Sequence, residues 1–357
     1  MTDTKSASTA STPPVPSQPR TRIAARRGPS MADVAGRAGV SSQTVSRVSN
    51  GMTNVDVATR DRVLAAMDEL GYRPNSAARA LKTGRFRSIG VIMFTLSTFG
   101  NMRTLDAIAT ASAEADYSIT LIPVALPTQG EVAGAVSRLS EQAIDGIVII
   151  MEAHMLDRAD ITLPEGLPVV IVDSDAGSRY TVVDADQAQG ARLATEHLLD
   201  LGHRSVWHIA GPKSSFSAVR RTDSWRQTLH EHRIEAPEVL YGDWSAESGY
   251  RHGLALGARP EVTAIFAAND QMALGVLRAL HELGRAVPES VSVVGFDDTE
   301  EASSFWPPLT TVHQDFSEVG RLCIAALLHE IETTSHETGT TIVPTRLVVR
   351  ESTAPVS

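Results

Sequence analysis

Residues 41–51 read SSQTVSRVSNG, a run whose only apolar side chains are Val45 and Val48. Wound as an α-helix, Gln43, Ser46, Arg47 and Asn50 fall at i, i+3, i+4 and i+7, so they share one face, with the two valines opposite. Such a stripe of amide, hydroxyl and guanidinium groups is too polar for a core and too regular for a loop. A second polar set, Asp173, Asn269–Asp270 and Asp297–Asp298, stands at the ends of the apolar runs PVVIVD, TAIFAAN and VSVVGFDD. Asp297 and Asp298 have the chemistry of a glycosidase pair, but adjacent carboxylates at a strand end point apart and do not flank one bond. No GxGxxG, Walker loop or Gly-x-Ser-x-Gly occurs. The residues offer binding rather than catalysis, and no enzyme is expected.

The formal net charge of −10 on 357 residues conceals an asymmetry. Residues 20–87 hold 13 Lys and Arg against 5 Asp and Glu, whereas residues 88–357 hold 18 against 36. A basic module ahead of an acidic body is the footprint of a small nucleic-acid-binding domain on a larger one. The polar helix lies within the basic module.

The elements needed to position these residues can be read locally. In residues 30–38, SMADVAGRA, Ser30 caps a helix with Asp33 three residues on, and Gly39 stops it. Ser41 caps the polar helix. Residues 56–70 form a third helix with Val57, Val63, Leu64, Met67 and Leu70 as its apolar side and Gly71 as its stop. Three short helices with a tight Gly-containing turn between the first two make a helix-turn-helix pattern. Pro74 opens a short Ala-rich basic segment closed by Gly84. From Ser88 onward, strand-like runs (SIGVIMF, YSITLIP, DGIVIIM, PVVIVD, then VWHIAG, TAIFAAN, VSVVGFDD) alternate with helical stretches at 103–115, 131–143, 187–200, 217–232, 247–256 and 271–283. Such alternation implies parallel sheets. Two such series imply two doubly wound lobes, with ligands at the carboxyl ends of their strands.

The Ser-, Thr- and Pro-rich residues 1–28 are expected to be a disordered tail. No run is long and apolar enough for a membrane span, and no secretory h-region is visible. Cys323 is the only cysteine, which fits a reducing cytoplasm and a buried apolar role. Neither a cofactor nor a metal is expected.

The segments MADVAGRAGVSSQTVSRVSNG, ELGYRPNSAARALKTGR, ANDQMALG and VVGFDD resemble the lactose/galactose repressor (LacI/GalR) family of bacterial transcription regulators over about residues 29–350. In the core, GPKSSFSAVRR, GDWSAESGY and VVGFDDTEEASSFWPPLTTVHQDF are closest to its lactose-responsive members. The resemblance implies a helix-turn-helix DNA-binding domain at 29–73, a hinge helix at 74–85 and a two-lobed core like periplasmic sugar-binding proteins at 86–357. Lobe one would take about 86–185 and 314–343, and lobe two 186–313 and 344–357. It also implies a cytoplasmic homodimer on palindromic operator DNA, controlled by a small sugar. Ser42 and Gln43 stand where the family reads bases, and Arg47 where it reads or clamps. Ser41, Thr44, Ser46 and Asn50 stand at backbone contacts. Asn75, Ala78 and Leu81 of the hinge stand at DNA, with Leu81 at the position that wedges into the minor groove. In the core, Arg221, Asn269 and Asp297 would hold hydroxyls, Asp173 would face them from the other lobe, Trp244 would stack on the ring, and Ser217 and Gln314 would contribute. The implied effector is a galactoside or related glycoside. A nucleobase effector and a sugar-binding protein without DNA function are the alternatives.

Two positions depart from the lactose-responsive pattern: Phe94 replaces a serine, and Val219 an arginine. The bulk of Phe94 is expected to change which sugar fits. The lactose-responsive members' leucine-rich tetramerising helix has no counterpart in the closing RLVVRESTAPVS, so a dimer is expected. Asp298 is expected to cap the segment that follows it.

Overall fold

The computed structural model describes residues 28–49, 51–73, 84–124, 129–150, 166–174, 179–333 and 338–356. The chain divides into two compact units, residues 1–78 and 79–357. The expected tail, apart from Gly28, and most of the expected hinge, with Asn75, Ala78 and Leu81, lie outside the described residues.

The first unit is three short helices around one apolar centre. Helix α1 (Met31–Ala38) begins with a reciprocal capping box between Ser30 and Asp33 and ends at Gly39, whose φ of 66° is left-handed. Helix α2 (Ser42–Ser49) follows after a short turn, and the Ser41 hydroxyl accepts from the Thr44 amide at 3.1 Å. Helix α3 (Val57–Leu70) is capped by Asp56 and stopped by Gly71. Val34, Ala35, Val45, Val48, Val63, Ala66 and Met67 are buried together. The apolar side read for α3 needs correction, because Val57 is 73% and Leu64 49% exposed. The buried row runs through Val63, Ala66 and Met67. Leu64 lies about 100° round the helix from Val63, and Val55, ahead of the helix, packs where Val57 was expected.

The second unit holds two six-stranded sheets. The first contains β1 (Ser88–Met93), β2 (Ser118–Pro123), β3 (Gly146–Ile150), β4 (Val169–Val172), β5 (Thr181–Ala185) and β11 (Gly339–Val343), in the order β11-β5-β4-β3-β1-β2. Helices α4 (Phe99–Glu114), α5 (Gln129–Glu141) and α10 (Phe316–Thr333) pack on it. The second contains β6 (Trp207–Ala210), β7 (Leu240–Tyr241), β8 (Ala264–Ala267), β9 (Ser292–Asp297), β10 (Thr310–His313) and β12 (Arg346–Val348), in the order β12-β10-β9-β8-β6-β7. Its helices are α6 (Gln187–Asp200), α7 (Phe216–Glu231), α8 (Ala246–Gly257) and α9 (Asp270–Glu282). Each sheet has an apolar cluster on each face, which is why its strands read as continuous Val and Ile runs. The pairings are parallel except that β12 runs antiparallel to β10, an exception to the parallel sheets expected.

The chain passes between the two sheets three times: after Ala185, after His313 and after Val343. Those crossings bring Asp184, Gln187, Gln314 and Phe316 to the space between the lobes. The helix expected over 103–115 begins four residues earlier, at Phe99, and that over 131–143 spans Gln129–Glu141.

Candidate functional site

In the first unit, α2 turns the predicted stripe outward. Ser41, Ser42, Gln43 and Arg47 are exposed, Thr44 and Ser46 are half-buried, and Val45 and Val48 anchor the opposite face. Asn50, the last member of the stripe, lies outside the described residues. The local reason is amphipathicity, since two valines three apart suffice to fix an eight-residue helix on a small core.

In the second unit, one cavity between the lobes collects all seven core residues singled out above. Asp173, Ser217, Arg221, Trp244, Asn269, Asp297 and Gln314 line it together with Phe99, Asn101 and Phe316. Most come from the carboxyl ends of strands or the first turns of the following helices. Asp173 follows β4, Asp297 ends β9, and Asn269 caps α9 by accepting from the Met272 amide at 2.9 Å. The Asn269 amide also donates to the Trp244 carbonyl at 3.0 Å.

Arg221 is the centre of a buried network. Its Nε donates to Gln187 Oε1 at 2.8 Å, and its Nη1 donates to the Ala268 carbonyl. Gln187 Nε2 donates to Gln314 Oε1 at 3.0 Å, and Gln314 Nε2 donates to Asp297 Oδ1 at 2.7 Å. Asp297 Oδ1 and Arg221 Nη2, 3.7 Å apart, close the ring. The guanidinium carbon lies 3.7 Å from the Phe296 ring centre and 5.5 Å from that of Trp244. Burial holds the Arg221 pKa below the usual range against the pull of Asp297, Asp173, Asp184 and Asp270. Burial likewise pushes Asp297 up to about 6 and Asp184 up to about 7, while Arg221 pulls both down.

Three of these positions hold left-handed backbone that L-residues disfavour: Asp173 at φ 61°, Trp244 at 70° and Asp297 at 108°. Such conformations cost on the order of 1–3 kcal/mol each and persist only where the surroundings over-determine them. The Trp244 indole lies against Gly211, where an added Cβ would stand 2.4 Å from the ring, so only glycine seats it. On the lobe-one side, Phe99 and Phe316 meet edge to face at 6.1 Å. The Thr98 hydroxyl is buried, makes no cap bond to α4, and has no hydrogen-bond partner among the described residues.

Residues 30–75 match the model of bacterial regulatory proteins of the lacI family, and residues 195–353 match that of a periplasmic binding protein-like domain. The lactose operon repressor of Klebsiella pneumoniae is 35% identical over 338 residues, 93% of this chain and 94% of that protein. The chain belongs to the LacI family. A crystal structure of the lac repressor dimer bound to operator and the anti-inducer ONPF is similar with a TM-score of 0.82 at 34% identity, covering 92% of this chain and 100% of that one. The structure of the transcriptional regulator CelR with cellobiose is similar with a TM-score of 0.68 at 31% identity, covering 91% and 99%. This LacI-family chain is therefore a DNA-binding transcriptional repressor under effector control.

The geometry of this repressor corrects two readings. Phe94 packs against the apolar cluster around Ile92, Val124 and Leu139, and neither it nor Val219 lines the cavity. Asp298 does not cap a helix. It accepts from Arg350 Nη2 at 2.6 Å and pairs with His313 Nδ1 at 3.0 Å, tying the end of β9 to the C-terminal segment. The sequence reading also missed Gln187, Asp184, Asn101 and Phe316, which line the cavity. Asp184 and Gln187 flank a crossing whose strand, β5, had not been recognised. The polar pair in VVDADQ was the available signal.

Asp270, beside the site, supplies a pH test. It accepts from Thr311 Oγ1 at 2.5 Å and from the Thr299 amide at 2.8 Å, and burial pushes it up to about 8. A carboxyl whose pKa is raised on folding stabilises the protonated folded state fully below about pH 4, and that contribution is lost as pH rises toward 8. The Asp270→Asn variant should therefore gain stability relative to the parent between pH 5 and 8, by on the order of a few kcal/mol. Denaturant unfolding of both proteins across that range checks it, and parallel pH profiles would refute it.

Proposed function

We propose that this repressor binds palindromic operator DNA as a homodimer through α2, and that a neutral sugar, a galactoside or related glycoside, sets its DNA affinity by binding between the lobes. The observation that carries this reading is the convergence of Asp173, Ser217, Arg221, Trp244, Asn269, Asp297 and Gln314 on one cavity. Arg221 and Asp297 are a donor and an acceptor matched to vicinal hydroxyls, Trp244 presents an apolar ring to C–H surface, and Thr98 brings a buried hydroxyl with no partner among the described residues. A sugar touching both lobes favours one lobe arrangement over the other, and it shifts DNA binding only by that differential affinity. The domains follow suit: 29–73 for DNA, 74–85 as hinge, and 86–357 for effector binding and dimerisation. Holding a ligand this way requires no turnover.

Thermal melts and calorimetry with mono- and disaccharides of the galactose and glucose series test the reading. A ligand at about 100 times its Kd should stabilise the protein by roughly 2.7 kcal/mol. If none of these sugars binds below about millimolar, the sugar assignment fails and a nucleobase effector takes its place.

On the DNA side, Ser42 and Gln43 read bases, Arg47 reads or clamps, and Ser41, Thr44 and Ser46 position the helix on phosphates. Exchanging Ser42 and Gln43 for other residues should change the half-site recovered by selection from random DNA, since each bidentate base contact discriminates by about 1–3 kcal/mol. Recovery of the parental half-site would show that these two side chains do not read bases.

A further inference from the structure

Asp297 faces the cavity from backbone that L-residues disfavour, and so does its neighbour. Asp297 and Asp298 both adopt left-handed φ values, 108° and 52°, at the end of β9. Two such residues in a row persist only where their surroundings over-determine them. Here the surroundings include the C-terminal segment. The Arg350 guanidinium donates through Nη2 to Asp298 Oδ1 at 2.6 Å and through Nη1 to the Leu309 carbonyl at 2.8 Å. Asp298 follows β9 and Leu309 precedes β10, so one side chain staples both ends of the connection between these strands. The other Asp298 oxygen pairs with His313 Nδ1 at 3.0 Å, beside Gln314, which donates to Asp297.

We propose that Arg350 is a positioning residue of the effector site: by gripping Asp298 it holds the turned end of β9 and so keeps Asp297 and Gln314 aimed into the cavity. Arg350 is not among the residues that line the cavity. The inference rests on the reading that the effector meets Asp297, and it adds the C-terminal segment to the machinery of that site.

The side chains of Arg350 and Asp298 are only 20% and 13% exposed, so water and salt screen them less than a surface pair. Charge-assisted bonds of this length are the strong ones. The planar fork lets one guanidinium serve the carboxylate and the carbonyl at once. The C-terminal segment does not depend on that fork for its own place. The Arg350 amide donates to Thr310 Oγ1 at 2.9 Å, the Thr310 amide to Ser352 Oγ at 2.8 Å, and Ser352 Oγ to the Val293 carbonyl at 2.6 Å. The Val293 amide in turn donates to the Ser352 carbonyl at 2.8 Å. Removing the guanidinium therefore frees the end of β9 while the segment stays on β9 and β10.

Two measurements on the full chain test the inference: calorimetry with galactose, glucose, lactose, cellobiose, hypoxanthine and guanine, and hydrogen exchange of the ligand-free protein. Arg350→Ala should bind the probe that wild type binds best about tenfold more weakly. Arg350→Lys, which keeps the charge but not the fork, should lose less. In a chain that already carries Asp298→Ala, adding Arg350→Ala should cost less than about twofold more, because its grip is already gone. Amide exchange at residues 297–299 should quicken about tenfold in Arg350→Ala, with residues 352–356 unchanged. A lowered melting temperature with unchanged affinity, an equal loss with and without Asp298→Ala, or unchanged exchange at 297–299 overturns the positioning role while the sugar reading stands. Binding of a base and of no sugar overturns the sugar reading alone, and the same ratios measured with that base decide the role of Arg350. If no probe binds, unchanged exchange overturns the inference and exchange about tenfold faster upholds it.

Discussion

Arg221→Ala should yield a protein that still binds its operator but no longer responds to effector. The guanidinium reaches Gln187, the Ala268 carbonyl and Asp297 from a position 4% exposed, so no other side chain can take its place in the cavity. Hydrogen bonds involving charged groups contribute about 1.5–3 kcal/mol each. Two such bonds to a ligand's hydroxyls, lost together, lower affinity by roughly 10²–10⁴-fold. Without Arg221, the Asp297 carboxyl, already raised by burial, loses the charge that pulls it down and takes up a proton more readily. That response relieves the fold of unpaired buried charge. Calorimetry should show no effector binding while circular dichroism and operator affinity match the parent. An Arg221→Ala protein that binds effector within about tenfold of wild type would remove this residue from the site.

Gly275→Ala should destabilise the second lobe severely, although helix propensity alone predicts the reverse. In an exposed helix interior, alanine is more favourable than glycine by about 1 kcal/mol. Here α8 and α9 approach so closely that a Cβ on Gly275 would lie 2.0 Å from the Ala246 carbonyl oxygen and 2.5 Å from the Tyr250 amide nitrogen. Gly249 faces the other way across the same contact, with its added Cβ 2.1 Å from the Met272 carbonyl oxygen. These neighbours are backbone, so the helices must separate rather than a side chain rotate. The expected loss is at or above the upper end of the about 1–3 kcal/mol typical of overpacking. Ser245, which caps α8, adjoins Trp244, so any protein that still folds should also bind effector more weakly. Urea unfolding monitored by tryptophan fluorescence measures the change. A stability equal to or above wild type would mean that the helices yield without cost.

The two predictions differ in how far the sequence carried them. Arg221 was found beforehand through the motif around it. Gly275 was not, because its neighbours lie across a helix–helix contact, and no local signal tells a glycine that must be small from one that is merely tolerated.

Local chemistry determined the elements. Ser30 with Asp33, Asp56, Gly39 and Gly71 set the ends of α1 and α3, because caps satisfy orphan backbone groups within a few residues of themselves. The alternation of apolar runs with helical stretches determined two parallel sheets, because buried strands must be apolar on both faces. The charge asymmetry separated the basic module from the acidic body. Polar residues at strand ends named Asp173, Asn269 and Asp297, because a doubly wound sheet exposes those ends to a ligand, and the family resemblance supplied Ser217, Arg221, Trp244 and Gln314.

What remained was decided by contacts between residues distant in the chain. Phe94 reads as a cavity residue from the family resemblance alone, yet packs against the lobe-one core, because the side chain takes whichever face the sheet has left apolar. Val57 and Leu64 fit an apolar stripe in α3, but three helices of this size have room to bury only one row. Asp298 looked like a cap until Arg350, 52 residues away, arrived beside it. Asp184 and Gln187 entered the site because the chain crosses between lobes there, and a crossing has no periodicity of its own. The sequence by itself determined which residue types could meet a ligand. Only the tertiary structure decided that Gln187 and Gln314, 127 residues apart, would join Arg221 to Asp297, because that link forms only when the crossings lie side by side.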